Sequence, residues 1–257
     1  MIYNKYVIVF ITIVLIMSFL IYRQKNKILV IRKDKTFKLN DKLNDKFYNM
    51  NEIYPSLNLI YFNLDSIKKE LNKNTNKKTD NETIWKKWPE KKLYDKNGEW
   101  SILPFIAFGI IVEKNCNKYP KLWDFISSIS NVKIAILSKM GPRMKLKPHR
   151  GWGKHSNHVL RCHFGLKIPD ENSCYISVSD EHPTKIKNNK QVEVKYHSQD
   201  KWLIFDDSKW HYAENCTDED RIVLILDIHR PNFVSDGTSN VSDTKELIKI
   251  INNFKNI

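Results

Sequence analysis

The chain has 257 residues, of which 41% are hydrophobic and 12% aromatic, so it is long and apolar enough to bury a substantial core. Its formal net charge of +14 comes almost entirely from lysines scattered through the chain. Because no basic helix with interleaved aromatic residues and no zinc-finger spacing occurs, we expect no nucleic-acid partner. The four cysteines lack a CxxC spacing, which argues against a zinc knuckle.

An unbroken apolar run at residues 6–22 is just long enough to span a bilayer. No small-residue cleavage site follows this run, so residues 1–24 are predicted to form a retained single-pass transmembrane anchor rather than a cleaved signal peptide. Basic residues cluster directly after the run, beginning at Arg23. By the positive-inside rule, this cluster would place the main domain in the cytosol.

Residues 25–84 are rich in lysine and asparagine, and residues 68–81 contain almost no apolar side chains. This composition is typical of a linker. We therefore predict that an ordered domain begins at residue 85 and extends to residue 235. A capping signal at residues 242–246, followed by apolar residues at helical spacing, predicts a C-terminal helix within 236–257 that packs on the outside of the domain.

Inside the predicted domain, the pair Asn97-Gly98 leads into an apolar run at 102–112, which predicts a hairpin. One short helix is expected from Pro120 onward, because apolar residues recur there at helical spacing. Short strands then follow one another closely, at 132–138, 159–168, 173–178, 191–196, 201–205, 211–214 and 221–228. This succession predicts a mainly β fold, an eight-stranded double-stranded β-helix (jelly roll, cupin-like) with flanking helices.

Arginine is scarce in this lysine-rich chain, and five of the seven arginines fall between residues 143 and 230. A guanidinium group grips a carboxylate at two points, which lysine cannot imitate. Arg161 and His163 are two residues apart in a predicted strand and therefore share a face. Arg221 begins a strand that is apolar on both faces, so it needs a counter-charge from an internal acid or from a bound one.

The histidines His149 and His211 form the candidate metal site. Iron(II) oxygenases commonly hold their metal with two histidines and one carboxylate. The carboxylate normally stands two residues after the first histidine, and here that position is Gly151. Composition alone leaves rival ligands open, namely His155, His158, His163, His182, His197 and His229, with Asp207 as an alternative third ligand.

Five blocks in this region, taken in order, resemble the aspartyl/asparaginyl beta-hydroxylase family. They are Ser138 with Met140, Pro-His-x-Gly at 148–151, Leu-Arg-x-His-x-Gly-Leu at 160–166, Phe-Asp-Asp-Ser-x-x-His at 205–211, and Arg221 leading an apolar strand that ends in Asp227. The resemblance reaches back to Gly98-Glu99-Trp100. The stretches 211–215 and 227–231 look closer to the bacterial lipid A hydroxylase branch, whose members also carry an N-terminal membrane segment.

The resemblance implies a dioxygenase that uses Fe(II), 2-oxoglutarate and O2 to hydroxylate the beta-carbon of Asp or Asn residues in proteins. In that family a solvent molecule replaces the metal-binding carboxylate, which agrees with Gly151. The implied metal ligands are His149 and His211. The implied 2-oxoglutarate pocket consists of Trp100, Ser138, Arg161, His163 and Arg221. The lipid branch makes the acyl chain of a lipid the alternative substrate.

Several alternatives stay open from sequence. One is a non-catalytic binding module on the same fold, and another is a membrane-tethered scaffold whose basic surface contacts anionic lipid. The family's peptidyl enzymes imply a catalytic domain in the endoplasmic reticulum lumen, whereas the flanking charges indicate the cytosol. Residues 152–158 lengthen the gap after His149 relative to the family pattern, so we expect them to influence the choice of substrate.

Overall fold

The computed structural model describes residues 42–75, 85–94, 99–186 and 191–255. In chain order, the strands are β1 (Phe47–Tyr48), β2 (Lys86–Lys87), β3 (Trp100–Ala107), β4 (Ile110–Ile111), β5 (Val132–Met140), β6 (Val159–Lys167), β7 (Cys174–Ser179), β8 (Val192–Tyr196), β9 (Trp202–Phe205), β10 (Trp210–Asn215) and β11 (Arg221–His229). The helices are α1 (Met50–Ile53), α2 (Leu64–Thr75), α3 (Glu113–Lys118), α4 (Pro120–Ser128), α5 (Gly153–Ser156) and α6 (Lys245–Lys255).

The strands form two antiparallel sheets. The larger sheet has the order β1-β9-β6-β11-β5-β3-β2, with β4 paired to β3, and the smaller has the order β10-β7-β8. From β5 to β11 the chain passes repeatedly between the two sheets. The segment between β5 and β6 joins the smaller sheet through single bridges from Lys145 to Glu214 and from His149 to His211. This winding is that of a double-stranded β-helix, so the predicted jelly roll is confirmed, although the described residues form eleven strands where eight were predicted.

The core lies between the two sheets because both present apolar residues at alternate positions. Ile176, Val178 and Ala213 of the smaller sheet pack in one cluster with Leu203 and Phe205 of the larger sheet. The strands from residue 132 onward occur at nearly the predicted bounds. β11 is hydrogen-bonded to β5 on one side and β6 on the other, and its residues from Val223 to Ile228 are buried on both faces, which agrees with its apolar sequence.

Residues 44–75 belong to the same compact unit as the jelly roll, which begins at Asn44. β1 pairs with β9, and a 3-10 helix at Pro55–Phe62 leads into α2. Leu57, Ile60 and Ile67 are fully buried. A few apolar residues at helical spacing thus anchor a segment whose overall composition is that of a linker, and the unit starts well before the predicted residue 85.

The predicted anchor at 1–24 and the predicted boundary at 84 lie outside the described residues. Within the ranges that the structure covers, no helix combines the length and the apolar character needed to cross a bilayer. The predicted anchor therefore stays a prediction. All four cysteines are free thiols.

The apolar run at 102–112 bends in its middle. Phe108 and Gly109 have positive φ values of 52° and 83°, and β3 pairs with β4 across this turn. The Asn97-Gly98 pair lies outside the described residues. The helix expected from Pro120 is α4, and its predicted position is confirmed.

The C-terminal helix α6 starts after Thr244, whose hydroxyl oxygen accepts a hydrogen bond from the Leu247 backbone N–H at 3.1 Å. The predicted capping signal is therefore confirmed. Leu247 is buried and lines an internal cavity. The helix thus contributes Leu247 to a cavity wall that also includes Ile102 and Ile134 of the larger sheet, instead of only covering the outside.

The packing of residues 44–75 can be tested with two neighbouring truncations. Ile60→Ala, at a fully buried position, is expected to lower the free energy of unfolding by about 2–5 kcal/mol. Leu59→Ala is the matched control, because Leu59 is 41% exposed and its truncation should change stability by less than about 0.5 kcal/mol. Urea unfolding measures both variants. Equal, small effects would show that this segment does not contribute to the core.

Candidate active site

Two histidines face each other where the segment after β5 meets β10. His149 and His211 exchange backbone hydrogen bonds of 2.9 and 2.8 Å, and their ring centroids are 4.3 Å apart. His149 Nδ1 lies 2.7 Å from the Lys147 carbonyl oxygen, and His211 Nδ1 lies 2.9 Å from the Lys209 carbonyl oxygen. Since a carbonyl oxygen only accepts, each Nδ1 carries the proton and each Nε2 keeps its lone pair.

Both imidazoles are neutral at physiological pH. Burial, together with the adjacent His211, lowers the pKa of His149 to about 3. Burial likewise lowers the pKa of His211 to about 4. A neutral imidazole with a free Nε2 is the form that binds a metal ion. Among the described residues, no group of three or more His, Cys, Asp or Glu side chains is arranged to hold a metal.

Gly151, two residues after His149, lacks a side chain for a steric reason. A Cβ atom there would lie 1.9 Å from Asp207 Oδ2 and 2.6 Å from the Ser156 Cβ. Asp207 Oδ1 lies 3.3 Å from His211 Nε2. The carboxyl group next to the histidine pair therefore comes from the turn between β9 and β10, and it fills the space that an acidic residue at position 151 would need.

The Arg161 guanidinium is shared by two buried carboxyl groups. Its Nε and Nη2 donate to the two oxygens of Asp227, both at 2.8 Å, and its Nη1 lies 2.5 Å from Asp207 Oδ1. Burial opposes ionisation of Asp227, but Arg161 outweighs burial and holds the pKa of Asp227 well below its usual range. Burial raises the pKa of Asp207 although Arg161 opposes this. The charge of Arg161 is thus matched by internal acids, and its predicted contact with 2-oxoglutarate stays a prediction.

Arg221 is buried without an acidic partner. Its side chain is 2% exposed, and its Nε and Nη1 have no hydrogen-bond partner. Burial lowers the pKa of Arg221 to about 10, so the group is still charged at neutral pH. Leaving a buried charge uncompensated costs several kcal/mol. The sequence allowed either an internal acid or a bound acid as the partner of Arg221. Among the described residues no acid lies within ion-pair distance of Arg221, so the pocket is suited to a bound anion.

The other predicted pocket residues lie on the same inward face of the larger sheet. The Trp100 indole Nε1 donates to Ser138 Oγ at 3.1 Å, and both side chains are buried. Ser138 stands opposite Val223, two residues from Arg221. His163 is buried, and its Nε2 has no partner. All five predicted pocket residues therefore lie on the inward face of the larger sheet, although Arg161 is already paired with two acids of the protein.

Phe205 connects this pocket with the histidine pair. Its ring centroid is 5.1 Å from that of His163 and 5.4 Å from that of His211. Two rival histidines have other contacts: His155 Nε2 lies 2.7 Å from Asp227 Oδ2, and His197 Nε2 lies 3.0 Å from His163 Nδ1. Their roles could not be read from sequence, because each is a lone histidine whose partner is far away along the chain.

A cavity of about 240 Å³ opens beside His149. Its wall is mainly aromatic and aliphatic, and it includes Trp88, Trp100 and Trp152. The Trp88 ring stacks on Trp100 with centroids 4.6 Å apart, and on Trp152 with centroids 6.0 Å apart. Trp152 belongs to the lengthened stretch 152–158. This stretch therefore reaches the cavity, as expected if it influences which substrate enters.

Comparison with known proteins identifies relatives. A sequence profile described as Aspartyl/Asparaginyl beta-hydroxylase matches residues 62–231. An ornithine lipid ester-linked acyl 2-hydroxylase of Rhizobium tropici is 31% identical over 140 residues, which cover 54% of this chain and 45% of the relative. The aspartate beta-hydroxylase domain-containing protein 2 of Mus musculus is 29% identical over 148 residues, covering 54% of this chain and 38% of the relative. The match thus spans less than half the length of each relative.

Among solved structures, a prolyl hydroxylase from Trichoplax adhaerens, in complex with a hypoxia inducible factor peptide, is similar with a TM-score of 0.43 and 11% identity. The alignment covers 68% of this chain and 89% of the other. A 2OG-Fe(II) oxygenase family protein from Burkholderia pseudomallei has a TM-score of 0.40 and 9% identity, with coverage of 59% and 75%.

The steric account of Gly151 predicts the effect of a single methyl group. Gly151→Ala is expected to lower the free energy of unfolding by about 1–3 kcal/mol, because its Cβ collides with a carboxyl group that Arg161 holds in place. Gly141→Ala is the matched control, since its Cβ would meet no atom closer than 3.2 Å. Guanidinium unfolding of both variants compares the two sites. A Gly151→Ala protein as stable as the control would contradict the proposed crowding.

Proposed function

The chain belongs to the aspartyl/asparaginyl beta-hydroxylase family, and on that premise we propose that it is a hydroxylase dependent on Fe(II) and 2-oxoglutarate. The observation that carries the proposal is the presence of two complementary sites in one interior. Phe205 contacts both sites, a neutral histidine pair that includes His211 and a buried anion pocket around His163 and Arg221.

The histidine pair fits Fe(II) by its chemistry. Imidazole nitrogen is a good ligand for iron, and both Nε2 lone pairs are available because the Nδ1 protons are held by backbone carbonyls. Those carbonyl contacts also fix the orientation of the two rings. We propose His149 and His211 as the metal ligands, with Asp207 as the acidic neighbour of the site.

The pocket around Arg221 fits one end of a dicarboxylate. Arg221 offers two buried donors without partners, His163 offers one free ring nitrogen, and the Ser138 hydroxyl proton is not used by its contact with Trp100. A carboxylate entering this pocket would satisfy these groups and neutralise Arg221. We propose that 2-oxoglutarate binds here and that Trp100 acts by holding Ser138.

The chain's own residues then have separable tasks. Fe(II) with 2-oxoglutarate supplies the O2-dependent conversion of a substrate C–H bond into C–OH, with succinate and carbon dioxide as the other products. The carbonyls of Lys147 and Lys209 orient the histidines, and the Arg161 ion cluster positions Asp207. The apolar cavity wall excludes water from the region beside His149 and receives the substrate.

Two substrate classes follow from the family. The first is the beta-carbon of Asp or Asn in a protein, as the family description and the Mus musculus relative indicate. An acidic side chain in the cavity needs an available cation. Of the cations on the wall, Arg161 is paired with two acids, Arg150 donates to Ser208 and Thr238, and Lys92 is exposed. A peptide carboxylate would therefore pair with Arg150, whose two acceptors are uncharged, or with Lys92.

The second class is the acyl chain of a lipid, as in the Rhizobium tropici relative. The cavity favours this class, because its wall beside His149 is formed mostly by tryptophan, isoleucine and other apolar side chains. Burying a methylene chain there would gain about 0.8 kcal/mol per CH₂ group. The predicted membrane anchor and the side of the membrane on which the domain lies remain predictions.

The enzyme proposal predicts specific losses on substitution. Without O2, the wild-type protein is expected to bind Fe(II) and 2-oxoglutarate, and to release succinate once O2 and a substrate are added. His149→Ala and His211→Ala should each abolish Fe(II) binding, because they remove half of the proposed ligand set. Equilibrium binding of Fe(II) measures this, and unchanged binding in either variant would remove that histidine from the site.

Arg221→Ala is expected to raise the KM for 2-oxoglutarate on the order of 30-fold or more, since a buried charge pair is lost. Arg143→Ala is the matched control, because Arg143 is exposed and pairs with Asp218 on the surface. Succinate release at varied 2-oxoglutarate concentrations gives both values. An Arg221→Ala protein with the KM of the control would exclude Arg221 from the cosubstrate pocket.

The substrate classes can be separated by direct competition. With Asp- and Asn-containing peptides and acyl lipids offered at equal concentration, succinate release is expected to rise most with the lipid, and the lipid should gain one oxygen atom on its acyl chain. Mass spectrometry of both pools identifies the product. Oxygen incorporated only into peptide would contradict the preference inferred from the cavity wall and leave the Asp/Asn assignment standing.

A further inference from the structure

His197 lies in the anion pocket although it belongs to none of the five family blocks. It follows β8 directly, and its side chain is 2% exposed. Its Nε2 lies 3.0 Å from His163 Nδ1, and its own Nδ1 has no partner. The two rings are nearly parallel, at 14°, with centroids 5.3 Å apart. That centroid separation equals the nitrogen–nitrogen distance plus about two ring radii, so the imidazoles meet edge to edge.

Gly165 is the reason that His197 can reach this position. A Cβ at Gly165 would lie 2.1 Å from the Ser198 carbonyl oxygen, so only glycine allows the backbone after β8 to pack against β6. The Gly165 carbonyl accepts the Asp200 N–H at 2.8 Å, and the Gly165 N–H donates to the Lys201 carbonyl at 3.1 Å. Gly165 thus allows His197, which is distant in sequence, to lie next to His163, the histidine of the same motif block as Gly165.

The buried histidine pair must choose between two proton arrangements. Burial lowers the pKa of both groups well below the usual range, and Arg221 lowers both further, so each ring carries a single N–H. In one arrangement His197 Nε2–H donates to His163 Nδ1, and His163 Nε2–H points away as a donor. In the other, His163 Nδ1–H donates to His197, and His163 Nε2 presents a lone pair.

A bound carboxylate distinguishes the two arrangements. It accepts a hydrogen bond from an N–H group and is repelled by a nitrogen lone pair. The first arrangement gives the pocket three donors that lack partners in the protein, the Nε and Nη1 of Arg221 and the Nε2 of His163. The second removes one of them and places a lone pair at the site. An anion in this pocket therefore requires His197 to be the donor within the histidine pair.

We propose that His197 is a positioning residue of the carboxylate pocket, which holds His163 in the tautomer that donates from Nε2 to a carboxylate of 2-oxoglutarate. This inference rests on the proposed function, because it takes 2-oxoglutarate as the occupant of the pocket. His197 does not contact the metal ligands in the described contacts. Its effect should accordingly fall on cosubstrate binding and not on Fe(II) binding.

Calorimetric titration of the metal-free protein with 2-oxoglutarate tests the inference without turnover. His197→Phe keeps the ring and removes the hydrogen bond, and is expected to weaken 2-oxoglutarate binding roughly tenfold, the size expected for one hydrogen bond to a charged ligand. His197→Gln restores a donor and should recover most of the affinity. Tyr196→Phe, at the exposed neighbouring position, is the control and should bind like the wild type.

The outcomes separate this inference from the hydroxylase proposal. Binding of 2-oxoglutarate that depends on His197, without succinate release by any wild-type sample, would support the pocket and overturn the enzyme. Succinate release with an unchanged KM for 2-oxoglutarate in His197→Phe would support the enzyme and overturn the role of His197. Equal losses of Fe(II) and 2-oxoglutarate binding would also overturn it, since they indicate general damage.

Nitrogen-15 NMR of the wild-type histidines gives a second measurement that does not depend on the folding of a variant. On addition of 2-oxoglutarate to the metal-free protein, the His163 resonances are expected to show protonation at Nε2 and a bare Nδ1. The opposite tautomer in the bound state would overturn the inference.

Discussion

The site depends above all on one buried ion cluster, in which Arg161 is held by Asp227 and Asp207. Arg161 and Asp227 are direct partners on neighbouring strands, and Asp207 comes from the turn after β9. A buried arginine and its carboxyl partners are stable only together, and removing one partner typically costs about 3–5 kcal/mol. The cluster therefore fixes the turn that carries Asp207 relative to the two central strands.

Two features of the histidine pair follow from that cluster. Asp207 is placed with one oxygen 3.3 Å from His211, and its other oxygen occupies the space above Gly151. Glycine at position 151 is thus a packing requirement as well as the absence of a third ligand. A carboxyl group does lie next to the histidine pair, but it belongs to Asp207, in a different part of the chain, and it is paired with Arg161.

The two buried arginines, Arg161 and Arg221, differ in their surroundings, because only Arg161 has acidic partners. Arg161 has its charge balanced internally, so it acts mainly as structure. Arg221 is equally buried but has no acid, so it is the group through which an anionic ligand would gain most. The cavity beside His149, in contrast, has a mostly apolar wall that includes several tryptophans. The interior therefore has one surface suited to an anion and another suited to an apolar molecule.

The sequence predicted much of this arrangement. Alternation and turn residues identified the strands of the jelly roll, because each strand's pattern is local. The motif blocks named two histidines and five pocket residues whose side chains lie close together in the structure, and their roles are part of the proposal. Composition predicted a linker at residues 44–75, because most residues there are polar. The few apolar residues Leu57, Ile60 and Ile67 are nevertheless fully buried. Burial depends on a partner surface, here the jelly roll, which composition does not reveal.

The sequence by itself determined the fold class through its periodicity, and its motif blocks pointed by resemblance to the family and to the residue types available for metal and anion binding. Only the tertiary structure decided which arginine is paired, why residue 151 is glycine, and that His197 meets His163. Each of these rests on contacts between groups 34 to 66 residues apart, or on the volume left by a neighbour. Charge balance and free space are properties of the packed interior, and no local pattern encodes them.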